Sequence, residues 1–579
     1  MTTDALTKFA RWPIVHVVAV ALLITGLNSL KPAVCDDPSY LDHARRIAAH
    51  PLDPYGGTTV YAYQVVPAIE NVSPPVLPSW LAAGMAVVGD CVWALKLWMS
   101  PFALLLGSSV WSLAKQMTPG HTAAVFWMVM TGAPVLASFN LMQDLPAQSL
   151  AMAALAVLLN TRSGAAGGLR SWRLQDWMTV VGTGLLAGLA LETKYTMLAL
   201  PFTLTVVAAV AGRWRQGLVS AAVAVVMFVI WEAWVHHRYG TSQFLFTVLS
   251  RHPGGGGNHA LLMIKDLLRT GGVVAPALVP LGAMALGAGR RMVLGLTLLV
   301  GVCLLPLGGL DNAQMFPVVW RTGVRLSLWD VTAGWIGPVI IGLTVAAVVP
   351  WFRVSIGDRL TWCLIVWLAI EIGSCIVLSP YGAVRRLPIT VAVLTLLLAR
   401  LAERRMNASV SESLAFAPVF VLSLIVGGLF IVTELVDTQI ALLAGKRVQM
   451  LSKTDPKSNP IFFIARSWGE LADQGRRLGF TPVQPHQTVL QAGDWLIYTS
   501  PQDLKEADPG LALAQEDGRL QLVEAVSTRH WLPWTTRPNF YNGAIPLRER
   551  SSAAAPAASG YIVRARVAID LSASTNPTP

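Results

Sequence analysis

Residues 14–30 read IVHVVAVALLITGLNSL, and residues 31–37 continue as KPAVCDD. The first stretch is long and apolar enough to cross a bilayer, and because lipid offers the backbone no hydrogen bonds, we expect it to cross as a helix. Lys8 and Arg11 precede this stretch, which predicts a cytoplasmic N-terminus. No small-residue cleavage site follows it, so the sequence favours a retained signal anchor over a cleaved signal peptide. The acidic pair is therefore expected just outside the membrane.

Similar apolar runs recur along the chain. Of its 579 residues, 54% are hydrophobic and 13% are charged, whereas soluble proteins carry about 25% charged residues. The runs do not alternate in polarity, which excludes a barrel, and their lengths predict about thirteen membrane-spanning helices. We place these helices approximately at Ile14–Leu30, Trp93–Leu113, Ala123–Leu141, Leu145–Leu159, Trp177–Leu191, Met197–Ala211, Leu218–Val235, Val273–Leu286, Val293–Leu310, Val331–Val349, Cys363–Leu378, Leu387–Leu398 and Ala415–Leu435.

The short loops carry most of the cations, as in Arg162, Arg170 and Arg173. This pattern orients the helices and explains the net charge of +11 without a nucleic-acid partner. The five cysteines show no CxxC pair and no zinc spacing, and their odd number argues against a disulfide framework. An odd number of spans from a cytoplasmic N-terminus places the C-terminus outside.

The composition becomes more polar from Asp437 onward. Alternating apolar stretches at Thr488–Thr499, Leu520–Val526 and Tyr561–Leu571 read as strands of a water-exposed domain. The sequence thus predicts an all-α polytopic membrane protein with a small α/β or β-rich C-terminal extracytoplasmic domain. The transmembrane domain is expected to span residues 1–436, with a first extracytoplasmic loop at 35–79, and the C-terminal domain residues 437–579.

Five stretches with chemically capable side chains all fall on the outer side in this topology. They are Asp36-Asp37 with Tyr40, the proline-rich Ser73–Trp80, the turn Asn140–Pro146 with Asp144, the turn Glu192–Tyr195 with Lys194, and Tyr381–Pro388 with Arg385 and Arg386. Arginines outside run against the positive-inside tendency, which favours an anionic partner for them. Acidic and basic groups at one membrane face suit a substrate with a phosphate head and a lipid tail.

Together these motifs resemble those of the C-type-fold glycosyltransferases that use polyprenyl-phosphate sugars. The chain is most similar to bacterial members of the dolichyl-phosphate-mannose-protein mannosyltransferase superfamily, which includes the aminoarabinose transferases of lipid A. The resemblance covers roughly the first 400 residues. It departs from the family at Asp37, where Glu is usual, and at Ser73, where many relatives carry Lys or His.

The resemblance implies roles for these residues in an inverting transfer. Asp36 is the expected general base, and Asp37 orients the acceptor or shares that role. Lys194, Arg385 and Arg386 are expected to bind the donor phosphate. Tyr40, Asp144 and Tyr381 are expected to line the substrate pocket. No cofactor is required, although the Asp36-Asp37 pair could hold a divalent metal.

The implied partners are a polyprenyl-phosphate-linked sugar, a glycan, lipid or protein acceptor, and membrane lipids. The implied location is the inner (plasma) membrane, with the active site and the C-terminal domain periplasmic. Two alternatives stay open at this point. A transporter or flippase of lipid-linked sugars would be expected to show inverted repeats and charges near the bilayer midplane. A ligase of whole glycans would be expected to carry its main catalytic loop late in the chain.

Overall fold

The structure is a computed structural model of the chain. It describes residues 13–34, 36–61, 64–71, 74–161, 172–251, 259–304, 318–319, 325–326, 328–354, 358–379, 384–405, 415–453, 461–465, 469–483, 488–498, 504–505, 507–528 and 558–571.

Helices make up most of the chain up to residue 453. They are α1 Pro13–Ser29, α2 Asp37–Ala49, α3 Ala68–Asn71, α4 Val76–Val88, α5 Val92–Trp98, α6 Ser100–Met117, α7 Thr122–Thr131, α8 Ala133–Leu136, α9 Asp144–Asn160, α10 Leu174–Leu191, α11 Leu200–Val210, α12 Trp214–Tyr239, α13 Gln243–Arg251, α14 His259–Val274, α15 Leu278–Ala285, α16 Arg290–Leu304, α17 Leu328–Val354, α18 Arg359–Leu378, α19 Pro388–Arg405, α20 Phe416–Asp437 and α21 Ile440–Lys453. Short 3-10 turns cover Tyr195–Ala199 and Val384–Arg386, and the two-stranded pairs are β1 Thr58–Tyr61 with β2 Gln64–Pro67, and β3 Val318–Val319 with β4 Arg325–Leu326.

Five helical segments of the described chain are long and apolar enough to cross a membrane. They are Val92–Met117, Leu174–Leu191, Trp214–Tyr239, Arg359–Leu378 and Phe416–Val436. Other apolar helices, such as Pro13–Ser29, are shorter, and the predicted run Ala123–Leu141 is divided between α7 and α8. The count of thirteen spans therefore stays a prediction, whereas the predominantly helical, membrane-compatible character is observed.

Small residues allow the helices to approach each other closely. A Cβ at Gly184 of α10 would lie 2.7 Å from the carbonyl oxygen of Ser220 in α12. A Cβ at Gly217, also in α12, would lie 2.6 Å from the carbonyl oxygen of Leu204 in α11. Because helices in lipid gain association energy from close packing, these glycines fix α12 against α10 and α11.

α4 is a helix that the sequence analysis did not predict. It has only 13 residues, it follows Pro74-Pro75, and it packs against α2 and α5. Trp80 of α4 stacks on Trp98 of α5 with ring centroids 5.1 Å apart. This pairing holds the returning chain beside α2, whose N-terminus carries the acidic pair.

The C-terminal unit is built on a five-stranded mixed sheet. Its strands are β5 Phe462–Ile464, β6 Thr481–Pro482, β8 Trp495–Tyr498, β9 Leu520–Thr528 and β10 Ala558–Ala565, in the order β6-β5-β8-β10-β9, and a separate pair joins β7 Val489–Leu490 to β11 Ile569–Asp570. Two further helices are α22 Gly469–Arg477 and α23 Pro509–Glu516. Strand β5 is parallel to β6 and β8, and β10 is antiparallel to β8 and β9.

Apolar side chains cover both faces of this sheet. Ile464, Ile497 and Ile562 belong to a buried cluster that includes α21. Their neighbours Phe463, Leu496 and Val563 belong to a second cluster that includes α23. Successive residues of a strand point to opposite faces, so helices on each side bury both. The predicted boundary at 436–437 falls where α20 ends, at Asp437.

Candidate active site

Four distant stretches of the chain bring charged side chains together. Asp36 is the N-cap of α2, and Asp144 is the first residue of α9. Lys194 precedes the 3-10 turn that follows α10, and the next such turn, before α19, carries Arg385 and Arg386. We call this group, Asp36, Asp144, Lys194, Arg385 and Arg386, the ion cluster.

Arg385 links the two carboxylates of the ion cluster. Its NH2 donates to Asp36 Oδ2 at 2.9 Å, and its Nε lies 3.4 Å from Asp144 Oδ2. The ammonium of Lys194 donates to the other oxygen of Asp144. The NH1 group of Arg386 donates to the hydroxyl of Ser379 at the end of α18. The geometry therefore gathers three cations around two carboxylates.

Gln148 fixes the position of Arg385 through its backbone. Its amide nitrogen donates to the Arg385 carbonyl at 2.9 Å, and its amide oxygen accepts from the Ile389 N–H at 3.2 Å. Gln148 lies one turn after Asp144 in α9, so both side chains point to the same face of that helix. The sequence analysis missed Gln148, and its i,i+4 spacing from Asp144 is the signal that could have indicated it.

Asp36 is the most accessible charged group among the paired residues of the ion cluster. Its side chain is 22% exposed, whereas those of Asp144, Lys194 and Arg385 are buried. Burial lowers the pKa of Lys194 to about 8, and the Asp144 carboxylate opposes this shift. A reacting group that approaches from solvent would therefore meet Asp36 first.

The structure places Asp37 in a different group of charges. Its Oδ2 accepts from the Val34 N–H at 3.0 Å and lies 3.7 Å from the ammonium of Lys96. Lys96 donates to the carbonyls of Lys31 at 3.1 Å and Pro32 at 2.7 Å. Burial raises the pKa of Asp37, and the Lys96 charge opposes that rise.

Lys31 completes this second group by pairing with Glu434 of α20 and donating to the Ala137 carbonyl at 2.9 Å. We call Lys31, Asp37, Lys96 and Glu434 the anchor network. It fixes the chain between α1 and α2 against α5, α8 and α20, so its evident task is to position the start of α2.

Of the two tyrosines named in the sequence analysis, the structure describes Tyr40. Tyr40 lies one helical turn after Asp36, its N–H donates to the Asp36 carbonyl at 3.3 Å, and its side chain is buried in the apolar core. Tyr381 lies outside the described residues.

Within the described residues no group of three or more His, Cys, Asp or Glu side chains could hold a metal ion. The two adjacent carboxylates instead each have a basic partner.

A polar and aromatic group adjoins the ion cluster on the other side of the Lys194 turn. The Tyr195 hydroxyl donates to Glu232 at 2.7 Å and also contacts Gln243. Glu192 is buried, and within the described chain neither of its carboxyl oxygens has a hydrogen-bond partner. Burial raises the pKa of Glu192 to about 9, and the nearby Glu232 adds to the rise. Glu192 was quoted in the sequence motif but given no role there.

Comparisons with solved structures found several matches of low sequence identity. ArnT from Cupriavidus metallidurans bound to undecaprenyl phosphate shares 15% identity, with 90% of this chain and 96% of that chain covered and a TM-score of 0.39. Its apo state gives 15% identity, 91% and 97% coverage and a TM-score of 0.41.

The archaeal oligosaccharyltransferase AglB from Archaeoglobus fulgidus, in complex with an inhibitory peptide and a dolichol-phosphate, is also similar. It shares 13% identity, with 82% of this chain and 64% of that chain covered and a TM-score of 0.42. No protein-family model and no curated protein sequence matches the chain.

Proposed function

We propose that this protein is a membrane glycosyltransferase that moves a sugar from a polyprenyl-phosphate donor to an acceptor hydroxyl. The observation that carries the proposal is the ion cluster, in which a partly exposed carboxylate, Asp36, lies beside buried cations. The motif order that resembles the C-type glycosyltransferases supports it. Both substrates would meet where the cluster opens to solvent.

The proposed reaction is a single displacement at the anomeric carbon. The acceptor oxygen attacks that carbon, and the bond from the carbon to the phosphate oxygen breaks with inversion. The proton of the acceptor hydroxyl moves to a carboxylate oxygen of Asp36, which acts as general base. The electron pair of the broken bond stays on the polyprenyl phosphate, which leaves.

The charge of the ion cluster supports this division of roles. Its two carboxylates and three cations sum to a formal charge of +1, from three positive minus two negative charges. The leaving phosphate gains negative charge in the transition state, and fixed cations lower the free energy of that state. Arg385 contacts Asp36, so it can couple the base to the phosphate.

Three finer assignments belong to the proposal. Asp37 acts through the anchor network, as a positioning residue for Asp36. The group around Glu192, Tyr195 and Glu232 receives the sugar ring, because a buried carboxyl without a partner is satisfied by ligand hydroxyls. The ion cluster and the C-terminal unit face the periplasm or cell exterior, and about thirteen spans cross the membrane.

The experiment that tests the function compares cells with and without this protein by mass spectrometry of surface glycans and lipid-linked sugars. A glycosyltransferase adds one sugar to an acceptor and consumes the lipid-linked donor. Proteoliposomes that contain the purified protein and the lipid-linked sugar so identified then test the reaction directly. Movement of the lipid-linked sugar across the bilayer without covalent transfer would establish a flippase instead, and transfer of a whole glycan would establish a ligase.

A further inference from the structure

Helix α22 of the C-terminal unit lies against α2, and charged side chains join them. Arg477 contacts Asp473 at 2.8 Å and Asp90 at 3.3 Å, and Arg45 of α2 contacts the same two carboxylates at 3.5 and 2.7 Å respectively. One more contact, between Arg476 and Asp42 of α2, measures 3.4 Å. We call Asp42, Arg45, Asp90, Asp473, Arg476 and Arg477 the ionic latch.

We propose that the C-terminal unit positions α2, and through it Asp36, by means of the ionic latch. Asp473 and Arg477 are the positioning residues on the C-terminal unit. The inference rests on the proposed function, because it assigns a task to a contact made by the helix that carries the general base.

The latch is a closed network and not a set of separate surface pairs. Arg45 and Arg477 each bridge Asp90 and Asp473, so four charges of alternating sign form a ring. Isolated surface ion pairs contribute little to stability, but networks with a buried member contribute more reliably. Asp473 is such a member, because its side chain is buried.

A pocket of about 360 Å³ opens beside the latch, lined by Asp90, Asp473 and Arg477 together with apolar side chains such as Leu30, Trp93 and Leu442. None of its lining residues belongs to α2, so three latch residues border open space on the side away from that helix.

The two ends of α2 are held by different means. Asp37 fixes its first turn through the anchor network, and Arg45 fixes a point eight residues further on, about 12 Å along the helix. Leu41, Ala44 and Ile47 also bury one face of α2, and the charged contact at Arg45 adds a restraint on its tilt toward the C-terminal unit. Misplacement of a reacting group by about 1 Å can cost about a hundredfold in rate.

The test uses the full-length protein in proteoliposomes and the variants Arg477→Gln and Asp473→Asn. Hydrogen–deuterium exchange of residues 37–49, followed by mass spectrometry, reports the ordering of α2 without any need for activity. We expect faster exchange there in both variants. We also expect the rate of sugar transfer to fall about three- to tenfold, because a loosened helix spends less time in the reactive geometry. Binding of sugar-free undecaprenyl phosphate should stay within twofold, since its proposed ligands are not on α2.

The control is Arg447→Gln, which breaks a more exposed arginine–glutamate pair inside the C-terminal unit, with Glu524 at 3.0 Å. It should change neither exchange nor rate. Arg477→Lys keeps the charge but loses the two-sided contact, so it should recover part of the rate. Unchanged exchange in α2 for both test variants would overturn the latch. Faster exchange with an unchanged rate would overturn the positioning role. A wild-type protein that adds no sugar would overturn the proposed function, while the exchange result would still decide whether the latch holds α2.

Discussion

Asp36 and Asp37 are neighbours in the chain, yet their carboxylates belong to two ion networks that meet water differently. The side chain of Asp37 is fully buried, and its partner Lys96 is 1% exposed. The side chain of Asp36 is 22% exposed and contacts Arg385. One peptide bond therefore separates a closed network from an open one.

The difference between the networks lies in their charge balance as well as their exposure. The anchor network holds two carboxylates and two ammonium groups, and backbone carbonyls accept from the remaining donors. The ion cluster holds one more cation than carboxylates. Burying an uncompensated charge is costly, so a balanced closed network suits a structural task, whereas an open network with surplus charge suits a charged substrate.

The largest effect is expected for Asp36→Asn. The amide keeps the shape of the side chain but cannot accept the acceptor proton, so we expect the transfer rate to fall by about a thousandfold or more. The thermal stability of the variant should stay close to that of the wild type, because Asp36 lies in the open network. The transfer rate in proteoliposomes and the unfolding temperature measure the two quantities.

Asp517→Asn is a control for this substitution, since Asp517 pairs locally with Arg519 at 2.8 Å in the C-terminal unit. It should leave the rate unchanged. Full activity of the Asp36 variant would show that this carboxylate is not the base, and the contrast between the two networks would lose its functional meaning.

The next largest effect is expected in the anchor network. Lys96→Met leaves the Asp37 carboxylate buried without its cation, so we expect the free energy of unfolding to fall by about 3 kcal/mol. The double variant Lys96→Met with Asp37→Leu removes both charges, and it should recover most of that stability. Unfolding in mixed detergent micelles measures both variants. A double variant no more stable than the single one would contradict the interpretation of this network as a compensated pair.

The sequence predicted the helices well where an apolar run was long. It missed α4 because that helix has 13 residues and begins after a proline pair, so no run of spanning length marks it. It found strands in the C-terminal unit from alternation, but not β5, which has only three residues, nor α22. Short elements depend on tertiary contacts that a local pattern does not contain.

The candidate site shows the same limit. Topology alone placed Asp36, Asp144, Lys194 and Arg385 on one side of the membrane, and the structure brings these four together. The separation of Asp36 from Asp37 was not predictable, since it depends on Lys96, which lies 59 residues after Asp37 in the chain. The sequence analysis read Lys96 only as part of an apolar run.

A smaller effect is expected for Lys194→Ala in the ion cluster. The ammonium is proposed to bind the donor phosphate, and hydrogen bonds to charged groups contribute about 1.5–3 kcal/mol, so binding of sugar-free undecaprenyl phosphate should weaken roughly thirtyfold. The variant should lose more of its transfer activity when the donor is limiting than when the acceptor is limiting. The exposed Lys453→Ala in α21 is the control, and it should not change binding. Equal losses for donor and acceptor would contradict a phosphate role.

The smallest effect is expected for His43, a buried titratable side chain without a carboxylate partner. It tests whether burial without a balancing charge disfavours the charged form, as the anchor network implies. His43 lies in α2 beyond Asp36 and Asp37, and it is buried with its Nε2 2.7 Å from the Pro54 carbonyl oxygen. Burial, together with the charge of Arg46, lowers the pKa of His43 to about 4, although the hydrogen bond to the Pro54 carbonyl opposes this shift. The aromatic ring of Tyr55 lies on its other side, with ring centroids 5.8 Å apart. No carboxylate is among the groups that shift this histidine.

In the unfolded chain a histidine has a pKa of about 6.5, so between that pH and about 4 the unfolded state binds a proton that the folded state does not. The contribution of His43 to stability is therefore complete above pH 6.5 and decreases as the pH falls. From pH 7 to pH 5.5 we expect the free energy of unfolding to fall by about 1 kcal/mol through this residue. His43→Gln should remove that part of the pH dependence, whereas His50→Gln, at the exposed end of the same helix, should keep it. If His43→Gln kept the wild-type pH profile, the pKa of His43 would be the same in the folded and unfolded states. Burial of a charged side chain in α2 would then need no balancing partner, contrary to the interpretation of the anchor network.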